Sequence, residues 1–125
     1  MSPNYLAVPE AIFKALAPIF ADKVFPGLAP DSCAPPYAIY DRIASAPENT
    51  LANGISIQNE RYQIDVWAYT KAECLTLAGH AQAAMRAIPY PLAVSLIMAT
   101  DQAEPDVKMF RAIQDFSIWH PRSDT

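Results

Sequence analysis

ERYQIDVWAYTKAE, residues 60–73, puts a strand and the start of a helix back to back, and the rest of the chain can be placed around it. From Arg61 to Tyr69 the residues alternate. Tyr62, Ile64, Val66 and Ala68 share one side, while Arg61, Gln63, Asp65, Trp67 and Tyr69 share the other, the period of two expected of a strand with one face on a core. Thr70 followed three residues later by Glu73 predicts a capping box, in which the threonine hydroxyl accepts from the amide of Glu73. Cys74, Leu77, Ala81, Ala84 with Met85, and Ile88 then recur every three or four residues, as in a helix that buries one stripe, and Pro89 ends it.

Downstream, Leu92–Ala99 reads as a strand, residues 100–106 as an acidic turn, and Lys108–Trp119 as a last long strand. In that strand Phe110, Ala112, Phe116 and Ile118 face the core and Arg111, Asp115 and Trp119 the reverse, with Gln114 the misfit among the apolar positions. Upstream, Ser45–Gly54 is rich in turn formers and closes on Asn-Gly, so it reads as a long connection between antiparallel strands. Ile55 and Ile57 are out of phase with Tyr62 and Ile64, which predicts a bulge between Gln58 and Arg61. Tyr37–Ala44 reads as a strand with Tyr37, Ile39 and Ile43 on one face, Tyr40 and Arg42 on the other, and Asp41 out of place.

Pro26–Pro36 has the composition of a loop, and Val24 with Phe25 before it suits a brief edge strand. A first short helix opens at Pro9, carries Ala11, Ile12, Ala15 and Leu16 on one face, and breaks near Ala17 because Pro18 clashes with the preceding turn; Ile19 and Phe20 then turn onto the core. The expected fold is a single α+β domain over residues 1–125, a mostly antiparallel sheet with two main helices packed on one face and a polar C-terminal tail at 120–125.

Composition narrows the function. With 125 residues, 52% apolar and 18% charged, the chain suits one folded domain, and its low charge leaves apolar surface for a partner. A net charge of -4 and no Lys/Arg cluster disfavour tight nucleic-acid binding. No basic leader or membrane-length apolar run is visible, so a soluble, cytoplasmic product is expected. Cys33 and Cys74 are too few and too isolated for a disulfide framework or a zinc site.

Candidate chemistry is sparse. His80 falls on the solvent side of its helix, and His120 reads as an exposed terminal residue with no positioned partner. Asp65 and Asp115 are the one carboxylate pair that could share a sheet face, with cross-strand pairing to Arg61 or Arg111 the simpler role. No phosphate loop, nucleophile elbow or metalloprotease helix is present, so no catalytic, metal or cofactor site is expected. The reverse sheet face is more informative: Tyr40, Arg42, Arg61, Trp67, Tyr69, Arg111 and Trp119 mix aromatics with arginine as protein interfaces do. Glu48, Asn49, Thr50, Leu51 and Asn53 in the long connection are expected to contact a neighbour.

Four stretches taken in order, VFPGLAP (24–30), PPYAIYDRIASAP (35–47), ERYQIDVWAYTKAECLTLA (60–78) and FRAIQDFSIWH (110–120), resemble the tail-completion or tail-terminator (tail-to-head joining) proteins of long-tailed bacteriophages and related prophage or gene-transfer particles. The resemblance spans about residues 24–120. It implies a structural protein rather than an enzyme. It further implies a homo-oligomeric ring, usually a hexamer, at the head-proximal end of the tail tube, which ends tube polymerisation and presents the tail to the head completion or stopper protein, with DNA only passing through. A small α+β ligand-binding domain or another virion connector is the alternative, and a hydrolase using Asp65 and Asp115 a third reading.

Overall fold

The computed structural model describes residues 7–52, 55–89 and 91–122. Helix α1 (Ala7–Leu16) leads through a turn into the short strand β1 (Val24–Pro26), then β2 (Tyr37–Ala52), β3 (Ile55–Ala68), helix α2 (Lys71–Arg86), β4 (Ala93–Glu104) and β5 (Met109–Arg122). The five strands form one sheet in the order β1-β2-β3-β5-β4, antiparallel except for the β1–β2 pair. Both helices cover the same face, which makes the expected α+β layering.

β3 lies at the centre. It pairs with β5 without a register shift from Ser56↔Arg122 to Ala68↔Phe110, so its alternation is copied onto its neighbour. Tyr62, Ile64, Val66 and Ala68 meet Phe116, Gln114, Ala112 and Phe110 on the helix side. There they close over Ile12, Leu16, Phe20, Cys74, Ala81 and Met85, all at most 1% exposed. Thr70 is the N-cap of α2: its Oγ1 accepts from the Glu73 amide at 3.1 Å and so satisfies one of the donors that a helix start leaves unpaired. Gln114 does face the core. Its Nε2 donates to the Ala78 carbonyl at 2.8 Å, and the Cys74 thiol donates to the Val66 carbonyl at 3.5 Å, so polar side chains tie α2 to both central strands. Both cysteines are free, Cys74 buried and Cys33 partly so.

Several sequence expectations need correction. Helix α1 begins at Ala7, before Pro9, although it stops at Leu16 as Pro18 requires. Residues 45–52 are not a loop. β2 runs through them to Ala52, and register shifts between Arg42 and Ala44 and between Ala46 and Thr50 absorb the turn-forming residues. The bulges thus lie on β2, whereas β3 is unshifted against β5 between Gln58 and Arg61. Of the expected loop contacts, Glu48, Asn49, Thr50 and Leu51 fall in the β2 backbone, and Asn53 lies outside the described residues. β4 likewise continues through the expected acidic turn as far as Glu104, and β5 extends past Trp119 to Arg122.

The faces of β2 are inverted relative to the expectation. Ala38 is fully buried and Tyr40 packs against the core on the helix side, whereas Tyr37 and Ile39 are on the reverse, opposite Trp67 and Asp65. Ala38 pairs with Val66, so its small side chain lies under the helical layer while the larger Tyr37 is accommodated on the open face. Two substitutions probe this core. Thr70→Ala should lower the unfolding free energy by about 1 kcal/mol, and Phe116→Ala, at a fully buried position, by about 3–5 kcal/mol, both measurable by urea denaturation.

A candidate assembly surface

The sheet face away from the helices carries a transverse row of side chains that reaches from one edge strand to the other. Phe25 on β1 meets the ring of Tyr37 on β2 edge-on, with centroids 6.3 Å apart and planes at 62°. Tyr37 in turn stacks on Trp67 of β3 at 6.3 Å and 26°. The Arg111 guanidinium of β5 sits 5.3 Å from the centre of the Trp67 ring, where the ring quadrupole attracts a cation. Arg111 also holds Asp65 by two donors, Nε at 3.1 Å and Nη2 at 2.7 Å, and its Nη1 lies 3.5 Å from Glu104 at the end of β4. Gln63 Nε2 donates to the other oxygen of Asp65 at 3.0 Å. The row fixes Arg111 from three sides, so a flexible cation becomes a rigid surface feature.

Two buried polar atoms on this face lack a partner, the Trp67 indole nitrogen and one carboxylate oxygen of Asp115. Gln114 Oε1 on the core face is likewise without a protein partner, so these atoms do not set the open face apart. Trp119 is exposed at the opposite end of β5 from Arg111, roughly 27 Å away at the rise of an extended strand. Tyr69 is exposed just beyond β3, beside Trp67 in sequence.

The residues expected to share this face therefore divide. Arg61, Asp65, Trp67, Arg111, Asp115 and Trp119 occupy it, with Tyr69 just past the strand end. Tyr40 and Arg42 do not: their register partners Ile64 and Tyr62 are core residues, so both lie on the helix side. Phe25 and Tyr37 complete the row and were missed, because Tyr37 read as a core residue and Phe25 as the end of an isolated edge strand. The Asp65–Arg111 ion pair matches the expected cross-strand role.

His120 overturns its expectation as well. It is 2% exposed, and its Nε2 lies 2.6 Å from an oxygen of Glu60, which is itself fully buried. The other Glu60 oxygen is 3.4 Å from Arg42 Nη1. Because β5 continues to Arg122, His120 is a strand residue on the core face rather than part of a tail. This cluster joins β2, β3 and β5 through Arg42, Glu60 and His120. His80 is exposed on α2, as expected. Among the described residues no group of three or more His, Cys, Asp or Glu side chains is placed to hold a metal ion. No described helix is long and apolar enough to cross a membrane.

Next to the cluster, burial pushes the Tyr62 hydroxyl from its ordinary 10.0 up to about 12, with the Glu60 charge adding to the rise and Arg42 opposing it. Burial also raises Tyr37 and Tyr40. A folded-state value above the unfolded one gives stability that is complete below the unfolded value and lost as pH rises through the folded value. Thermal midpoints should therefore fall as pH is raised from 10.0 to about 12, and Tyr62→Phe should flatten that fall. Glu60→Ala removes the buried partner of His120 Nε2 and should destabilise the chain by about 1–3 kcal/mol in urea denaturation.

Comparison with known proteins gives one family and one fold. The family model described as tail completion protein gp17 matches residues 10–121, nearly the whole chain. No curated protein sequence matches. Among solved structures, a chain from the virion of a native gene transfer agent particle superposes with a TM-score of 0.67 at 15% identity, covering 94% of this chain and 99% of that one. That likeness extends over the helices and the sheet alike, and at this identity it speaks for the fold.

Proposed function

The chain belongs to the tail completion protein gp17 family, and we propose that it is a tail terminator: a ring-forming structural protein at the head-proximal end of a phage, prophage or gene-transfer-particle tail. The ring, a hexamer on this reading, stops polymerisation of the tube protein and offers the tail to the head completion or stopper protein. The observation that carries the reading is the family match over residues 10–121, which includes the central β3–α2 unit and the closing strand β5.

The single chain has features that suit such a role. Its open sheet face is rigid and holds aromatic and arginine side chains, the residue types that concentrate binding energy in interfaces. A closed ring needs a heterologous contact, in which different patches of each copy meet, and the asymmetric row from Phe25 to Glu104 provides unlike ends. Arg61, Trp67, Tyr69, Arg111 and Trp119 are the residues we assign to subunit contact, and the β2–β3 hairpin projects toward a neighbour or the channel. The net charge of -4 suits a channel that lets DNA pass without gripping it. Catalysis has no part in this reading, because Asp65 is already paired with Arg111 and Gln63 rather than free to transfer protons. The product is made in the bacterial cytoplasm and ends in the virion tail.

Deleting the gene from its particle should leave tails of uncontrolled length and heads and tails that fail to join, as seen by negative-stain microscopy. Normal tails in the deletion strain contradict a terminator. In the purified protein, Trp119→Ala should weaken ring assembly while leaving the thermal midpoint within a few degrees of wild type, since its side chain is partly exposed.

A further inference from the structure

The two edges of the sheet are built unlike each other, and the geometry points to β4 of one copy pairing by its main chain with the outer edge of β2 in the next. This pairing rests on the ring reading above and adds a main-chain edge contact to the sheet-face residues assigned there.

β4 is an edge strand 12 residues long. Its first eight residues, Ala93 to Thr100, contain no charge and no proline. Edge strands of soluble proteins are usually protected by lysines, prolines or very short length, because their free amides and carbonyls invite another strand. Over that stretch β4 has none of these and only one bulge, at Leu96/Met98, to turn its edge aside, and it exposes Ile97 and Met98, 45% and 52% accessible. At the other edge, β1 covers β2 only from Ala38 to Tyr40. From Asp41 to Ala52 the outer side of β2 has no neighbouring strand among the described residues, a run as long as β4 itself. Ile43, 45% exposed, lies on this run.

Each copy thus presents one free edge of matching length at each end of its sheet. Joining the two head to tail satisfies both rows of backbone groups and leaves only the three-residue outer side of β1 unpaired once the ring closes. A two-fold pairing of β4 with β4 leaves the β2 edge bare. The register shift at Leu96/Met98 in β4 and those at Arg42/Ala44 and Ala46/Thr50 in β2 bend both edges, so a flat strand follows neither well. The contact is then selective for a second copy of this chain.

The test replaces Ile97 and Met98 together with lysine, beside an Ile97→Val/Met98→Leu control. Assembly of the full chain is followed by light scattering across concentration, and amide exchange is read by mass spectrometry on assembled and unassembled wild type. The lysine variant should raise the concentration for half-assembly by at least roughly 30-fold, the size of a central interface residue's effect, with the control near wild type. On assembly, peptides from residues 41–52 and 93–104 should gain protection. Rings that persist in the lysine variant, or rings whose new protection misses both peptides, overturn the pairing while leaving the ring reading intact. A wild-type chain that yields only two-fold dimers or monomers overturns both.

Discussion

The unshifted pairing of β3 with β5 is the constraint on which the rest of the structure depends. From Ser56↔Arg122 to Ala68↔Phe110 the two strands run in one register, so the alternation of β3 sets two faces that hold across the middle of the sheet. One face receives α1 and α2 over Ile64, Val66, Phe116 and Ile118. The other is left to Trp67, Arg111 and Asp65, and because a slip of one residue would exchange the two sets, the hydrophobic core and the open face are specified together. The bulges of β2 and β4 lie outside this central pair, where bending does not disturb it.

Polar side chains anchor this arrangement at both ends. Toward α2, Gln114 and Cys74 reach backbone carbonyls across the layer boundary. Where the hairpin leaves the core, Glu60 and His120 close the gap between β3 and β5 with Arg42 at its rim. A buried carboxylate is tolerated only when it is paired, and here two partners from two other strands meet it. The pair therefore links β3 and β2 to the last strand, which also carries Arg111 and Trp119.

Much of this could be read from residue order where one signal dominated. The alternation in β3, the Thr70 cap and the core residues of β5 each had a single physical explanation, and the structure agrees with all three. β2 was misread because two signals competed. Tyr37 and Ile39 are the larger apolar residues, yet Ala38 is the one the helical layer covers, and Tyr37 finds its contacts in the row with Phe25 and Trp67. Pro47, Glu48 and Asn49 look like a turn but sit within a register shift that lengthens the hairpin. His120 was read as exposed because Pro121 follows it, although Pro121 pairs with Ile57 near the end of the ladder. In each case the deciding fact was the identity of a cross-strand neighbour, which no local pattern contains. The aromatic and arginine residues of the open face were legible as types, while their division between two ends of that face, and the loss of Tyr40 and Arg42 to the other, needed the register.

On the proposed terminator reading the chain presents a fixed surface to two different neighbours, and the cation–π contact with the two Arg111 hydrogen bonds to one Asp65 oxygen hold Trp67 and Arg111 in place, which would lower the cost of ordering them on assembly. The most direct measurement is electron cryo-microscopy of the purified particle at the head–tail junction. A closed ring of this chain at the head-proximal end of the tube, in contact with the last tube ring on one side and the head connector on the other, is the predicted result. Density for this chain elsewhere in the particle, or its absence from the junction, contradicts it.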